Sequence, residues 1–376
     1  MNKKVAIITK YFIEITSESD GVRGAGLYIC SFIYSLSLCC DVDVYCEENT
    51  PVREGSNIKN IFHYEKGNPP SAEDLEKGGY DFVWSLTDKV YKSDKFLTFT
   101  LQHSHSRLYR QKYIRRPYEL FIKRIFNPSR YYTKSKIKEY KKVFKTTDIL
   151  FANSKIAYND YINLCELPPE EIPLLNPMIP KAKSIKKEKH DLFTFGMSAV
   201  TFDLKGGYIF LEALYNLKKT TKNFRAKVIY PHFKKNFILR FFYALWGLKK
   251  YVEVLDFQKS MDNFYNSVDC IVMPSREETF GFVAAEGMAH KLPVIVSSAS
   301  GICDIIENEK NGFIFDIRKH PVKNLTQVLL KVLNSENLEE IAQKGYETAQ
   351  NNSVEHHSQK LNKILDNILS EKRKNK

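Results

Sequence analysis

The chain has 376 residues, 43% apolar and 27% charged, which excludes a fibre or a disordered chain and suits two or three domains of about 150 residues. Fifty-seven basic residues against 44 acidic ones leave a net charge of +13, so the partners to weigh are anionic: nucleic acid, a membrane surface or a phosphorylated small molecule. The seven cysteines (Cys30, Cys39, Cys40, Cys46, Cys165, Cys270 and Cys303) form no CxxC pair, which argues against a disulfide framework or a zinc ribbon and for a reducing compartment.

In chain order, Val5–Thr9 is a short β-prone apolar run, a fully buried strand of the kind found in parallel sheets. Lys10 ends it too soon for the apolar core of a signal peptide. A glycine-bearing turn, Gly21–Gly26, follows. The uncharged stretch Gly24–Cys40 falls short of a membrane span and carries Ser31, Ser35 and Ser37, so it reads as a buried helix ending near Leu38. Val42–Cys46 is a second strand, and strand, glycine loop, helix, strand opens a βαβ unit. Further strands are expected at Phe82–Trp84, Phe96–Thr100 and Ile149–Ala152. Between the last two lies Arg107–Lys145, helical in pattern, with fourteen Lys/Arg against Glu119 and Glu139 and with breaks at Pro117 and Pro128.

Asn176–Pro180 stops regular structure, and Lys181–Asp191 reads as a charged linker. A second alternating series then begins. Strands are expected at Leu192–Phe195, Ala226–Tyr230, Val252–Leu255, Cys270–Met273, Val294–Ser297 and Phe313–Phe315. Helices are expected at Tyr208–Lys218, Met261–Ser267, Phe282–His290, Asn324–Leu333, Leu338–Ala349 and His356–Leu369. Two such series imply an α/β chain with two doubly wound domains facing one another, which bind ligands beyond the carboxyl ends of their strands, in the cleft between the halves.

Pro274–Ala289 leaves a strand and enters a helix. Glu278 precedes the helix and Glu286 lies in its first turns, with seven residues between them. Phe280 and Gly281 sit where the unpaired N–H groups of a helix start point outward. Such a segment offers donors to phosphate or hydroxyl oxygens and carboxylates to hydroxyls, the mixture a sugar nucleotide presents. The plainer reading is a solvated helix start with a carboxylate complementing the dipole.

This segment, followed by Lys291–Ile295, Ser300–Ile306 and Asn311–Phe315, resembles the retaining nucleotide-sugar glycosyltransferases of family 4, which have the GT-B fold. The resemblance implies two Rossmann-like domains: residues 1–180 for the acceptor and 190–350 for the nucleotide-sugar. Residues 351–376 would be a C-terminal helix, with the option of crossing back to the first domain, and a basic tail. It implies that Glu286 holds the ribose hydroxyls. Glu278, with Thr279 and the backbone of Phe280 and Gly281, would face the donor sugar. Lys205, in Asp203–Gly207, matches the Lys-Gly pair that neutralises the leaving diphosphate. Met197 stands where the family carries an Arg, which leaves Arg276 or Arg23 to supply a second cation.

In the first domain, Gly24 and Gly26 match the family's glycine loop near the diphosphate, although the spacing is not that of a dinucleotide fingerprint. His103 and His105 fall where related enzymes carry an acceptor-side His; a polar loop His is the alternative. Asn153–Ser154 and Leu175–Pro177 match family landmarks and are read as turns. The implied reaction moves a hexose from a UDP-sugar to a hydroxyl of a surface glycan or glycolipid, such as lipopolysaccharide or capsule. No metal or other cofactor is implied. Another GT-B enzyme (an epimerase or phosphorylase) and a non-catalytic basic binding protein are the alternatives.

Two patterns are set aside. Asp41 and Asp43 form a DxD, which holds a metal in a different glycosyltransferase fold; here they read as a turn Asp and a solvent-facing strand position. His356–His357 reads as surface. The charge has a more specific reading. Arg107–Lys145 interleaves its cations with aromatics, and Phe233–Trp246 with Lys249 and Lys250 does the same. That composition suits peripheral contact with an anionic membrane at the inner, cytoplasmic face. No nucleic-acid module is recognisable, so nucleic acid is not an expected partner.

Overall fold

The computed structural model describes residues 2–9, 25–47, 58–86, 91–101, 147–165, 172–182, 191–199, 201–258 and 260–374. They form two compact units, Met1–Met178 with Asn352–Lys376, and Ile179–Asn351. Among the described residues, each unit contains one six-stranded parallel sheet, so the fold class is α/β with two Rossmann-like halves.

In the first unit the strands are β1 (Lys3–Thr9), β2 (Cys40–Glu47), β3 (Asn60–Tyr64), β4 (Phe82–Ser85), β5 (Leu97–Leu101) and β6 (Ile149–Phe151), in the order β3-β2-β1-β4-β5-β6. The apolar run Val5–Ile8 is fully buried because β1 is central and covered on both faces. Helix α1 (Ala25–Ser37) lays Phe32 against this sheet. Its ring sits 5.2 Å from Trp84 and 5.6 Å from Phe151, and Trp84 stacks on Phe99 at 5.4 Å. The uncharged stretch is thus a core helix. Among the described residues no helix is long and apolar enough to cross a membrane.

Three elements of this unit are additional to those expected from the sequence. Strand β3 is a half-exposed edge strand without an apolar run. Helix α2 (Ala72–Lys77) is a single capped turn: Ser71 Oγ accepts from Asp74 N, and the Asp74 carboxylate accepts from Ser71 N at 3.0 Å. Helix α3 (Lys155–Cys165) starts at Ser154, whose Oγ accepts from Ala157 N at 3.2 Å. Asn153 and Asn176, from the two landmark turns, are tied by a 3.2 Å bond from Asn176 Nδ2 to Asn153 O.

Two expectations are corrected. Asp43 does not face solvent: it is 1% exposed, because β2 is an inner strand of the sheet. Tyr80 Oη donates to it at 2.8 Å, Asn60 Nδ2 donates to it at 2.8 Å, and Lys4 Nζ lies 3.3 Å away. A buried carboxylate with this many partners is structural. His357 is not at the surface either. It lies on α10 (Val354–Lys374), 3% exposed, with Nδ1 2.6 Å from Ser35 Oγ of α1 and its ring 5.9 Å from Phe32. Lys3 also ties α10 down, 2.8 Å from Asp366.

In the second unit the strands are β7 (Thr194–Ser198), β8 (Arg225–Ile229), β9 (Val252–Leu255), β10 (Cys270–Met273), β11 (Val294–Ser297) and β12 (Phe313–Phe315), ordered β12-β11-β10-β7-β8-β9. The helices are α4 (Gly207–Thr220), α5 (Phe237–Leu245), α6 (Met261–Asn266), α7 (Phe282–Ala289), α8 (Pro321–Leu333) and α9 (Leu338–Gln350). The chain winds outward from β7 in one direction, then returns to β10 and winds in the other. The carboxyl ends of β7 and β10 are therefore a topological switch point, where successive loops diverge and leave a crevice.

Burial is the first cause that lowers the His357 pKa, to about 3, and nearby Lys360 adds to it. The folded value lies below the ordinary 6.5, so the stability this residue contributes is full above about pH 6.5 and drains as pH falls toward 3. We expect wild-type stability in urea to fall more steeply across that window than that of His357→Asn, by about 1.4 kcal/mol per pH unit. Equal slopes would refute it.

Candidate active site

The loops leaving the switch point carry the residues singled out in the sequence. Residues 199–206 connect β7 to α4, and 274–281 connect β10 to α7. The two loops are joined by backbone: Arg276 N donates to Leu204 O at 2.9 Å. Gly206 makes the approach possible. Its φ is +74°, and a Cβ there would lie 1.8 Å from Pro274 O, so no other residue fits. The preceding residue, Lys205, is thereby held against the second loop, where its Nζ pairs with the Glu278 carboxylate. The two side chains are 30% and 18% exposed, which leaves the pair within reach of a ligand. Beside them, Arg276 Nε lies 3.6 Å from Asp203 Oδ1. Of the two cations considered for the place of the family's Arg, Arg276 thus lies on these loops, whereas Arg23 lies outside the described residues. Met197 is 1% exposed and faces the core with Phe195 and Val228, so position 197 offers no charge to the crevice.

The loop 274–281 is fastened on its other side as well. Glu278 N donates to Ala299 O, Gly301 N to Glu278 O and Ile302 N to Phe280 O, at 3.1, 2.9 and 2.7 Å. Ser297 Oγ donates to Ser275 O at 2.5 Å. The Ser300–Ile306 segment thus serves as a strap that fixes the Glu278 backbone. The Phe280 side chain is buried in the core, so only its main chain is available at the site. Gly281 has φ +124°, and a Cβ there would strike Met273 Cε at 2.6 Å. Thr279 is half-buried in this loop.

Gly281 and Gly206 are the N-caps of α7 and α4, and neither supplies a side-chain cap. Neither helix has an acidic residue in its first turn. Both therefore set the positive end of a helix dipole beside Lys205 and Glu278, a setting that favours an anion, although the Gly207 N–H of α4 already donates to Phe202 O at 2.7 Å.

Glu286 is the fifth residue of α7, half-buried, and its Oε2 accepts from Tyr265 Oη at 2.5 Å. Tyr265 belongs to α6, is 1% exposed, and lies against His290 in a tilted pair with ring centroids 4.6 Å apart. His290 Nδ1 lies 2.8 Å from Glu286 O and its Nε2 lies 2.9 Å from Asp262 Oδ1. Tyr265, His290 and Asp262 form a bracket that orients Glu286. No spacing rule points to it, because Tyr265 and Asp262 lie more than twenty residues upstream on another helix.

Gly26 is the second residue of α1. Gly24, Arg23, His103, His105 and the basic segment 107–145 lie outside the described residues. Among the described residues no group of three or more His, Cys, Asp or Glu is arranged to hold a metal ion.

Gly206→Ala should destabilise the chain by about 2–4 kcal/mol, from backbone strain and the collision with Pro274. Gly79→Ala has the same sign of φ with nothing within 4 Å, so it should cost only about 1–2 kcal/mol. Urea unfolding of the two variants checks this, and equal losses would mean that the close approach is not the constraint.

Residues 190–335 match the protein family described as Glycosyl transferases group 1. Over 78 residues the chain is 35% identical to the capsular polysaccharide biosynthesis glycosyltransferase CapM of Staphylococcus aureus, covering 21% of this chain and 20% of that one. The chain spans 14%, 20% and 40% of the length of three curated relatives, CapM among them. Among solved structures, a glycosyltransferase from Rickettsia africae superposes with a TM-score of 0.68 at 16% identity, over 98% of this chain and 99% of that one. Anabaena Alr3699/HepE in complex with UDP and glucose gives 0.66 at 13% identity, over 97% and 99%. Residues 190–335 are therefore similar to the group 1 glycosyltransferases, and the chain has the fold of the GT-B glycosyltransferases.

Proposed function

We propose that the chain is a retaining glycosyltransferase of family 4 that moves a hexose from a UDP-sugar to a hydroxyl of a surface glycan or glycolipid. The observation that carries this reading is the Lys205–Glu278 pair, held between two uncapped helix starts at the switch point of the second sheet. When a diphosphate enters, its charge takes Lys205 and the helix N–H groups, and Glu278 is released to accept from sugar hydroxyls. Arg276, freed from Asp203, is the second cation. Glu286, oriented by Tyr265, takes the ribose hydroxyls. UDP as the nucleotide of the donor is supported by the likeness to the HepE complexes, and a surface-polysaccharide acceptor by the likeness to CapM.

In the transfer, the bond from the sugar's anomeric carbon to the diphosphate oxygen breaks. A bond from that carbon to the acceptor oxygen forms, and the acceptor proton leaves with the products. Preorganised cations and N–H donors aimed at the departing diphosphate are the main stabilisation such a step needs. On this reading the chain's own groups supply that charge without a metal. The acceptor side falls to the first unit, with His103 or His105 holding the acceptor hydroxyl and Gly24 and Gly26 near the diphosphate. We further propose that the chain works at the inner face of the cytoplasmic membrane, which the basic aromatic segment 107–145 supports.

Glu286→Ala should weaken UDP binding about tenfold or more while the fold survives, and Tyr265→Phe should weaken it less, since it only orients the carboxylate. Isothermal titration reads both; unchanged affinity in Glu286→Ala overturns the ribose assignment. Lys205→Ala should lower turnover about a hundredfold or more, in line with loss of one transition-state donor. Nucleotide release assayed over a panel of sugar donors, with and without glycan acceptor, checks this. Release that never depends on an acceptor would point to a different GT-B reaction, and no release with any donor to a binding protein.

A further inference from the structure

Helix α5 is amphipathic in the wrong sense for a soluble surface. At 100° per residue, Phe237, Phe241, Leu245 and Ile238 occupy one arc about 100° wide. These four are 77%, 54%, 65% and 62% exposed. The opposite side is the one that packs. Leu239 is fully buried in the core of the second unit, and Tyr243 Oη donates to Val252 O at 2.6 Å. The helix is not loosely attached: Asn236 caps its start through Leu239 N at 3.0 Å, and at its end Lys218 Nζ holds Trp246 O while Trp246 stacks on Tyr215 at 5.6 Å. An ordinary surface helix hides its apolar arc, whereas this one is pinned so as to display it.

The surrounding charge identifies what covers it. From Pro231 to Lys250 there is no Asp or Glu, while Lys234, Lys235, Arg240, Lys249 and Lys250 flank or follow the helix. Lys249 and Lys250 also line a cavity of about 550 Å³ with Arg225 and Lys227, whose wall includes Asp191 and Glu253. A protruding apolar ridge bordered by an excess of cations complements the interface of an anionic bilayer, in which acyl chains take the ridge and headgroups take the cations.

We propose that α5 is a membrane-docking element of the second unit, inserting Phe237, Ile238, Phe241 and Leu245 between the headgroups of an anionic lipid surface. This goes beyond the basic segment 107–145 by placing a membrane contact on the nucleotide-binding unit. It rests on the membrane-side reading of the function, and binding and transfer are measured separately so that either can fail alone.

The chain carries its own probe. Trp246 ends α5, and the only other Trp, Trp84, is fully buried in the first unit. With the full chain and vesicles of brominated phosphatidylglycerol, Trp246 fluorescence should be quenched, and phosphatidylcholine vesicles should give much less quenching. The double variant Phe237→Ser, Phe241→Ser should lower partition to phosphatidylglycerol vesicles about tenfold or more and abolish the quenching. Its circular dichroism and UDP affinity should stay unchanged, because both side chains are exposed and distant in sequence from the site loops. Lys249→Glu with Lys250→Glu should weaken partition and flatten its salt dependence. Absence of quenching in the wild type, or undiminished partition of the Phe double variant, overturns the proposal. So does a dimer in sedimentation without lipid that dissociates in that variant, since a second copy would then be the cover. If wild-type UDP binding fails while vesicle binding behaves as expected, the transfer reading falls and the docking element stands.

Discussion

The site depends on one close approach, the backbone of Gly206 against the carbonyl of Pro274. Two loops diverge from adjacent strands, and only a residue without Cβ, in the left-handed region, lets them meet. That contact places Lys205 over the second loop, where Glu278 awaits it. The strap from Ser297 to Ile302 then fixes the second loop from behind. A cation and a carboxylate on long side chains would gain little from pairing in open solvent. Here the backbone orders both stems, and on the proposed reading the pair is poised for exchange, one partner for phosphate and one for hydroxyls.

The same logic of prior ordering extends to Glu286. A carboxylate on the second turn of a helix has several rotamers, and fixing it has an entropic cost when ligand binds. The Tyr265 hydroxyl removes that freedom in advance. His290 and Asp262 hold Tyr265 in turn. Preorganisation of this kind raises affinity without adding a ligand contact.

Elsewhere the chain places polar groups where burial makes them expensive. Asp43 is met by Tyr80, Asn60 and Lys4 and is satisfied. His357 is buried in the contact between α10 and α1, and that contact fixes the C-terminal helix to the first unit. The converse appears on α5, where apolar groups lie in water. The first is a cost of burying an inner strand, the second of assembling one unit from both ends of the chain, and the third leaves an apolar arc uncovered.

The sequence alone determined the strands whose burial on both faces forces a continuous apolar run, Cys270–Met273 and Val294–Ser297, and it gave the bounds of the edge strands Val252–Leu255 and Phe313–Phe315 as well. It also made Lys205, Glu278 and Glu286 legible, because glycine punctuation and carboxylate spacing are local. It could not give β3, whose edge position removes the apolar signal, or show which side of α5 packs, because that segment is apolar on more than one face. Nor could it give the environment of Asp43 and His357, since alternation along a strand or helix does not say what lies across from it. Only the tertiary structure shows where position 197 and Arg276 lie. Position 197 points into a core, and Arg276 reaches the crevice from a loop seventy residues away, brought there by the order in which the strands pair.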